Sequence, residues 1–324
     1  MIRFLAWRLV QSVVVMWVVY TLTFFLLMAA PGDPFLGTQK NPPAFVREAL
    51  AKNYGLEYLK FTAEERAKMP AGERAGYVMK AYWLYLGRVV RGDLGPSVRY
   101  PDWSVTQVIA HSLPISVALG SAALLISLWG GAAAGTAAAV WKNRWPDVLL
   151  AMGTLVGVSL PSFVVGALLL MALVVAVPLL PSGGWGSVRQ LILPAVTLSL
   201  FYMAYVASLA RSSTLEVLHA DFVRTARAKG LSGRQVIVRH VGSNAALPLL
   251  SYMGPAAATV LTGSFVVEKL FAIPGLGTHF VNGCLNDDIP LVLGATLVYT
   301  AIVVVFNLLV DVAYAAVDPR ITLG

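Results

Sequence analysis

The sequence has one cysteine, four histidines and little charge. Cys284 alone excludes an internal disulfide and a thiolate metal cage, and His111, His219, His240 and His279 are scattered without metal-binding spacing. No GxxxxGK[ST] run occurs, so the chain has no loop of its own able to cradle ATP phosphates. Charged residues make up 12% of the 324, against about 25% in a typical soluble domain, whereas 58% are hydrophobic. A soluble fold is excluded by that balance. The middle apolar runs also lack the series of Asp, Glu and His at mid-depth that a proton- or ion-coupled carrier needs. The formal charge of +8 does not point to nucleic acid, because Lys and Arg cluster in short segments flanking apolar runs, where membrane topology accounts for them.

What remains is an all-α integral membrane protein. Leu9 to Ala30 follows Arg3 and Arg8 and, at about 1.5 Å per residue, is long enough to cross a hydrocarbon core of about 30 Å. It exceeds the apolar core of a cleaved signal peptide and is expected to be retained. Further spans are expected at Leu113 to Val140, Val148 to Val177, Leu191 to Leu209, Leu249 to Phe271 and Leu291 to Ala315, six transmembrane helices in all. Lys142 and Arg144 after the second span, and the basic loop beginning near Arg211, share one side only if Val148 to Val177 crosses once, as a tilted or Pro161-kinked helix. Both termini are then cytoplasmic.

Three regions follow: residues 1–30, the N-terminus and first span; residues 31–111, a small external domain between spans 1 and 2; and residues 112–324, a transmembrane core with a cytoplasmic loop at 212–247. In the external segment, PPAFVREALAKNYGL and YVMKAYWLYLGRVVRG read as helices ending at Gly55 and Gly92. Tyr82, Trp83 and Tyr85 suit a helix at headgroup level. Phe61 to Gly76, small, charged and Pro-interrupted, reads as a flexible insert. Gly131 and Gly135, and Gly153 and Gly157, have the small-xxx-small spacing of close helix packing.

The most informative stretch is Asp221 to Pro248, DFVRTARAKGLSGRQVIVRHVGSNAALP, which carries Arg224, Arg227, Lys229, Arg234 and Arg239 between two apolar runs. It reads as helix, glycine, helix: Asp221 as N-cap, Gly230 as a left-handed stop, and Ser232 with Gln235 as the capping box of a second start. Here the chain resembles the permease subunits of ATP-binding-cassette importers, specifically the dipeptide, oligopeptide and nickel branch. Arg224, Thr225 and Ala226 occupy the Glu-Ala-Ala positions of the general permease motif, Gly230 is its glycine, and Leu247 and Pro248 close it at the longer distance of that branch. The similarity extends to the PGDP turn (Pro31 to Pro34), the RGDLG run (Arg91 to Gly95), VVEKLFAIPGLG (Val266 to Gly277) and the ending NLLVDVAYAAVDPRITLG.

The resemblance implies a subunit of an importer of di- or oligopeptides, in a bacterial or archaeal cell membrane. Its implied partners are a second homologous permease, two cytoplasmic ATPase subunits that bind the ATP, and an external substrate-binding protein, with the lipid bilayer around it. No cofactor, metal or catalytic residue is expected in this chain. Asp221, Arg224, Thr225, Ala226, Gly230, Ser232, Arg234, Gln235, Arg239 and Pro248 are the expected ATPase-coupling residues. Glu268, near the outer end of the fifth span, either faces the bundle and lines the translocation path or snorkels to the surface beside Lys269. His279, Cys284, Asp287 and Asp288 share an outer loop but form too mixed a set for a metal site. A nickel or other small-solute permease of the same family is the first alternative. A secondary transporter or channel is the second, and it needs intramembrane ionisable residues or a filter-like loop that the sequence does not display.

Overall fold

In lipid an apolar chain satisfies its backbone hydrogen bonds only within itself, and here the apolar runs form helices. The computed structural model describes residues 2–29, 61, 65, 68–97, 100, 102–286 and 288–317. Their extended-backbone pairing amounts to a single bridge between Pro96 and Ser104. The elements are α1 (Ile2–Ala29), α2 (Ala71–Val90), α3 (Val105–Val140), α4 (Trp145–Ser159), α5 (Ser162–Leu170), α6 (Val188–Leu218), α7 (Asp221–Ala228), α8 (Gly233–Gln235), α9 (Gly242–Gly263), α10 (Phe265–Leu270), α11 (Leu276–Leu285) and α12 (Ile289–Val317). Five helices are long and apolar enough to cross a membrane, six if the bent α4–α5 pair counts as one span. PPAFVREALAKNYGL, the PGDP turn and the last seven residues lie outside the described residues.

The chain divides into two units, residues 1–115 with 274–302, and residues 116–273 with 303–324. In the first, α2 packs its Ala81, Tyr82 and Tyr85 against Tyr20 and Phe24 of α1 and Ile289, Leu293 and Leu297 of α12. The Tyr20 hydroxyl donates to the Tyr82 carbonyl at 2.8 Å. The expected headgroup-level aromatic cluster is therefore split. Tyr82 and Tyr85, three apart on one helical face, are buried, and only Trp83 stands exposed. The reading of Phe61 to Gly76 as an insert fails at its end, because α2 starts at Ala71, directly after Pro70, with Glu73 in its first turn. An acidic residue there complements the helix dipole, and the Phe61 ring packs against Tyr77 at 5.7 Å between centroids.

The RGDLG run ends α2 as a braced turn. Gly92 and Gly95 take φ of 76° and 81°. Asp93 accepts from Arg88 Nε at 2.9 Å and from the Gly95 amide at 2.9 Å. Burial pushes the Asp93 carboxyl up, but the hydrogen bonds from Arg88 and Gly95 outweigh it and hold the group below its ordinary value. A lowered carboxyl contributes stability above its unfolded pKa of about 3.9 and loses it as pH falls through the folded value. The pair is largely exposed, so the contribution is under about 1 kcal/mol. Asp93→Asn should cost the assembled protein a small part of its thermal stability at neutral pH and nothing once the buffer is acidic enough to protonate Asp93. Equal losses at both pH values would show that the turn does not depend on this charge.

In the second unit the third span is broken rather than kinked: α4 and α5 meet at 109°. Pro161 has no N–H to continue the helix and forces Leu160 into an extended conformation (φ −92°, ψ 130°). α5 ends in a wide π-turn, Met171–Ala176, before the PSGGWG turn and the Ser187–Gln190 capping box that starts α6. α3 lies against α6 through glycines. A Cβ at Gly131 would come within 2.8 Å of the Met203 carbonyl oxygen, and one at Gly135 within 2.2 Å of the Ala207 carbonyl oxygen. Of the second pair only Gly157 packs closely: a Cβ there would lie 3.0 Å from the Ala204 Cβ, whereas one at Gly153 would meet nothing within 4 Å. The fifth span divides at Ser264 into α9 and the six-residue α10.

Candidate functional site

The basic segment folds as a hairpin of two helices around Gly230. α7 begins at Asp221, so its N-cap is Ala220 and not Asp221 as expected. Asp221 instead places its carboxylate in the first turn, where the dipole favours it, and accepts from Arg224 Nη1 at 3.5 Å. Thr225 Oγ1 donates to the Asp221 carbonyl at 3.1 Å. The helix closes with two bonds, Gly230 N–H to the Arg227 carbonyl and Leu231 N–H to the Ala226 carbonyl. That is the Schellman pattern, which requires a left-handed residue, and Gly230 supplies φ of 80°. Ser232 then caps α8: its amide donates to Gln235 Oε1 at 3.0 Å and its Oγ accepts from the Gln235 amide at 3.4 Å.

Beyond the cap the chain does not form a separate short helix. α8 passes through a π-turn, Val236–Val241, directly into α9, and Pro248 lies inside α9. A proline removes only its own N–H bond, and neighbouring groups in an apolar bundle can re-satisfy the freed carbonyl. The hairpin is held by a small apolar core. Val223 and Ala226 pack with Val236, Val241 and Ala245, and Val217, Leu218 and Leu231 border them. The eight residues of α7 thus bury one side and leave Arg224 and Arg227 outside; Lys229, which follows the helix, is exposed too, as are Arg234 and Arg239 on the second arm. Among these cations two large apolar side chains stand out: Phe222 is 45% exposed and Val238 69%. Neither was singled out from the sequence, because exposure of one Val in VIVRHV depends on the π-turn's register.

An ion pair between α4 and α6 also escaped the sequence reading. Asp147, in the first turn of α4, accepts from Arg211 of α6 in two parallel bonds, Nε to Oδ1 at 2.5 Å and Nη2 to Oδ2 at 2.9 Å. The Asn143 amide adds a third bond at 2.9 Å, from a residue at φ of 62°. The pair borders a cleft of about 350 Å³ with Leu150, Thr154 and Ser208. The two residues lie 64 positions apart, and only the packing of α4 on α6 brings them together.

Glu268 and Lys269 part company. Lys269 is exposed, whereas Glu268 has no exposed surface and its Oε1 accepts from Ser116 Oγ at 2.7 Å and from Ser264 Oγ at 2.6 Å. In the outer-loop set Asp288 is equally buried. It accepts from Ser97 Oγ at 2.5 Å and from the Leu291 amide, and so caps α12. Cys284 is exposed, and burial of part of its side chain pushes the thiol up. No group of three metal-ligating side chains occurs among the described residues. Asp287 lies outside them.

Residues 131–323, which include the hairpin and the Glu268 segment, match the family described as binding-protein-dependent transport system inner membrane component. This chain belongs to that family. Over 99% of both chains it is 41% identical to the oligopeptide transport system permease protein OppB of Salmonella typhimurium and 40% identical to OppB of Escherichia coli K12. It is 36% identical to the dipeptide transport system permease protein DppB of Lactococcus lactis over the whole of each chain. As a member of this family the chain is a multi-pass membrane component of a binding-protein-dependent transport system, not an enzyme.

Proposed function

We propose that the chain is the permease subunit of an ATP-driven importer of peptides, and forms half of the translocation path with a second, homologous permease. Two ATPase subunits bind the ATP on the cytoplasmic side, and an external binding protein delivers the cargo; this chain needs no cofactor of its own. Support for peptides as cargo comes from its relatives, permeases of oligopeptide and dipeptide transport systems. A nickel or small-solute permease is the second reading, since the family resemblance includes that branch.

The observation that carries the coupling role is the 221–241 hairpin. It has a packed apolar inside, a left-handed glycine between its arms, and an outside that exposes five cations and Val238. A hairpin braced in this way transmits force as a lever, and Asp221, Arg224, Thr225, Ala226, Gly230, Ser232, Arg234, Gln235 and Arg239 build it, with Pro248 in the span it drives. The excess of Arg and Lys in this loop and at the N-terminus supports placing both on the cytoplasmic side of a bacterial cell membrane.

Copurification followed by uptake into vesicles tests the reading. The tagged chain should bring down a second permease and ATPase subunits, and the reconstituted complex with its binding protein should take up labelled peptide only with ATP. Uptake of Ni²⁺ with no uptake of peptide would favour the second reading. Uptake driven by an ion gradient without ATP would overturn both.

A further inference from the structure

The segment 264–273 is built around a carboxylate with no surface. α10 is set off from α9 at Ser264, which occupies the position before its first residue. Glu268 Oε1 receives the Ser264 hydroxyl from one turn back and the Ser116 hydroxyl from α3, at 2.6 and 2.7 Å. Both lie at the short end for O–H···O bonds. Ser116 is itself buried, so the carboxylate is a brace between two helices that are 152 residues apart in sequence.

The backbone pins the other end of the segment. The Ile273 amide donates to the Glu268 carbonyl at 2.8 Å and the Ala272 amide to that of Lys269 at 3.3 Å. This Schellman-type end places Ala272 at φ of 50°, a conformation that glycine takes at no cost and that alanine does not. The Phe271 carbonyl then accepts the Gly184 amide at 2.8 Å. A Cβ at Gly183 would fall 2.0 Å from that same oxygen, and one at Gly166 of α5 would fall 2.6 Å from Leu270 Cδ2. One short helix is thereby locked to α3 by a side chain, to the PSGGWG turn by backbone, and to α5 by close packing.

We infer that Glu268 is a positioning residue: it fixes the 264–273 segment to α3 through Ser116, so that this segment and the 183–184 turn move with α3 as one piece during transport. The carboxylate acts on protein geometry and not on cargo, which it cannot touch while it has no exposed surface. This rests on the importer reading above. Loosening the brace should let ATP hydrolysis proceed without the matching movement, so peptide delivered per ATP hydrolysed should fall.

The test uses the full complex in vesicles, with Glu268→Gln, Ser116→Ala and Ser264→Ala. Glutamine keeps an oxygen able to accept both hydroxyls, and Glu268→Gln should retain most of the wild-type coupling. Ser116→Ala removes the arm between helices and should lower peptide delivered per ATP by about fivefold or more, the scale of one lost buried bond, with KM for peptide unchanged. Ser264→Ala, which leaves the inter-helix arm, should do less. Wild-type coupling in Ser116→Ala would overturn the inference. So would a change in KM, or in preference between cationic and neutral peptides, in Glu268→Gln, because it would place the carboxylate against cargo. Absence of ATP-dependent uptake by the wild-type complex would overturn the importer reading instead.

Discussion

Gly135→Val should remove most of the properly assembled protein from the membrane. At this position α3 and α6 touch backbone to backbone. A Cβ would lie 2.2 Å from the Ala207 carbonyl oxygen, 2.7 Å from the Ala210 Cβ and 2.9 Å from the Arg211 amide nitrogen. None of these is the end of a flexible side chain, so accommodation requires the helices to separate. Overpacking a core costs about 1–3 kcal/mol, and a clash with fixed backbone belongs at or beyond the top of that range. Separation would also disturb Arg211, which anchors Asp147 of α4. Gly153→Ala is the matched comparison, since nothing lies within 4 Å of its Cβ. Yield and thermal stability of the detergent-purified protein measure both. A Gly135→Val protein as abundant and stable as wild type would show that the α3–α6 contact is not this close.

Val238→Asp should separate transport from ATP hydrolysis, or strip the ATPase subunits from the complex, while the chain still inserts. Val238 is 69% exposed and makes no part of the hairpin's apolar core, so the substitution costs the isolated chain little. Burial of a valine in a partner's groove is worth about 1.5–3 kcal/mol, and a carboxylate buried there without a partner adds a further penalty. The ATPase content of the purified complex should therefore fall at least tenfold. Gly230→Val should do less. Its Cβ meets nothing within 4 Å, and the cost is the left-handed backbone alone, about 1–2 kcal/mol. That complex should assemble with weakened coupling. A normal ATPase content in Val238→Asp, or a greater loss in Gly230→Val than in Val238→Asp, would show that the contact lies elsewhere.

Local rules were the legible part of this protein. The capping box at Ser232 and Gln235, the left-handed Gly230 and the stop at Gly92 all depend on residues a few positions apart. Their physics is contained in the sequence that specifies them. Local signals misled where one residue type admits two outcomes. Pro161 breaks its span by 109°, whereas Pro248 and Pro255 sit inside α9. Proline itself does not say which outcome follows, because in an apolar bundle neighbouring groups can re-satisfy the carbonyl that an in-helix proline frees. Asp221 looked like a cap and instead occupies the first turn, one residue further in.

The sequence alone determined that the chain is apolar enough to span a membrane, lacks an ATP-phosphate loop and carries a basic helix–glycine–helix segment between two apolar runs. These follow from hydropathy, composition and short-range spacing, which do not depend on packing. Tertiary structure alone decided the partners of the buried acidic side chains. Glu268 and Lys269 are adjacent in sequence, but one faces Ser116 of α3 with no exposed surface and the other faces out. Asp147 meets Arg211, and Asp288 meets Ser97. A polar group in an apolar bundle is held where a hydrogen-bonding partner comes within about 3 Å, and which residue that is depends on how helices distant in sequence pack.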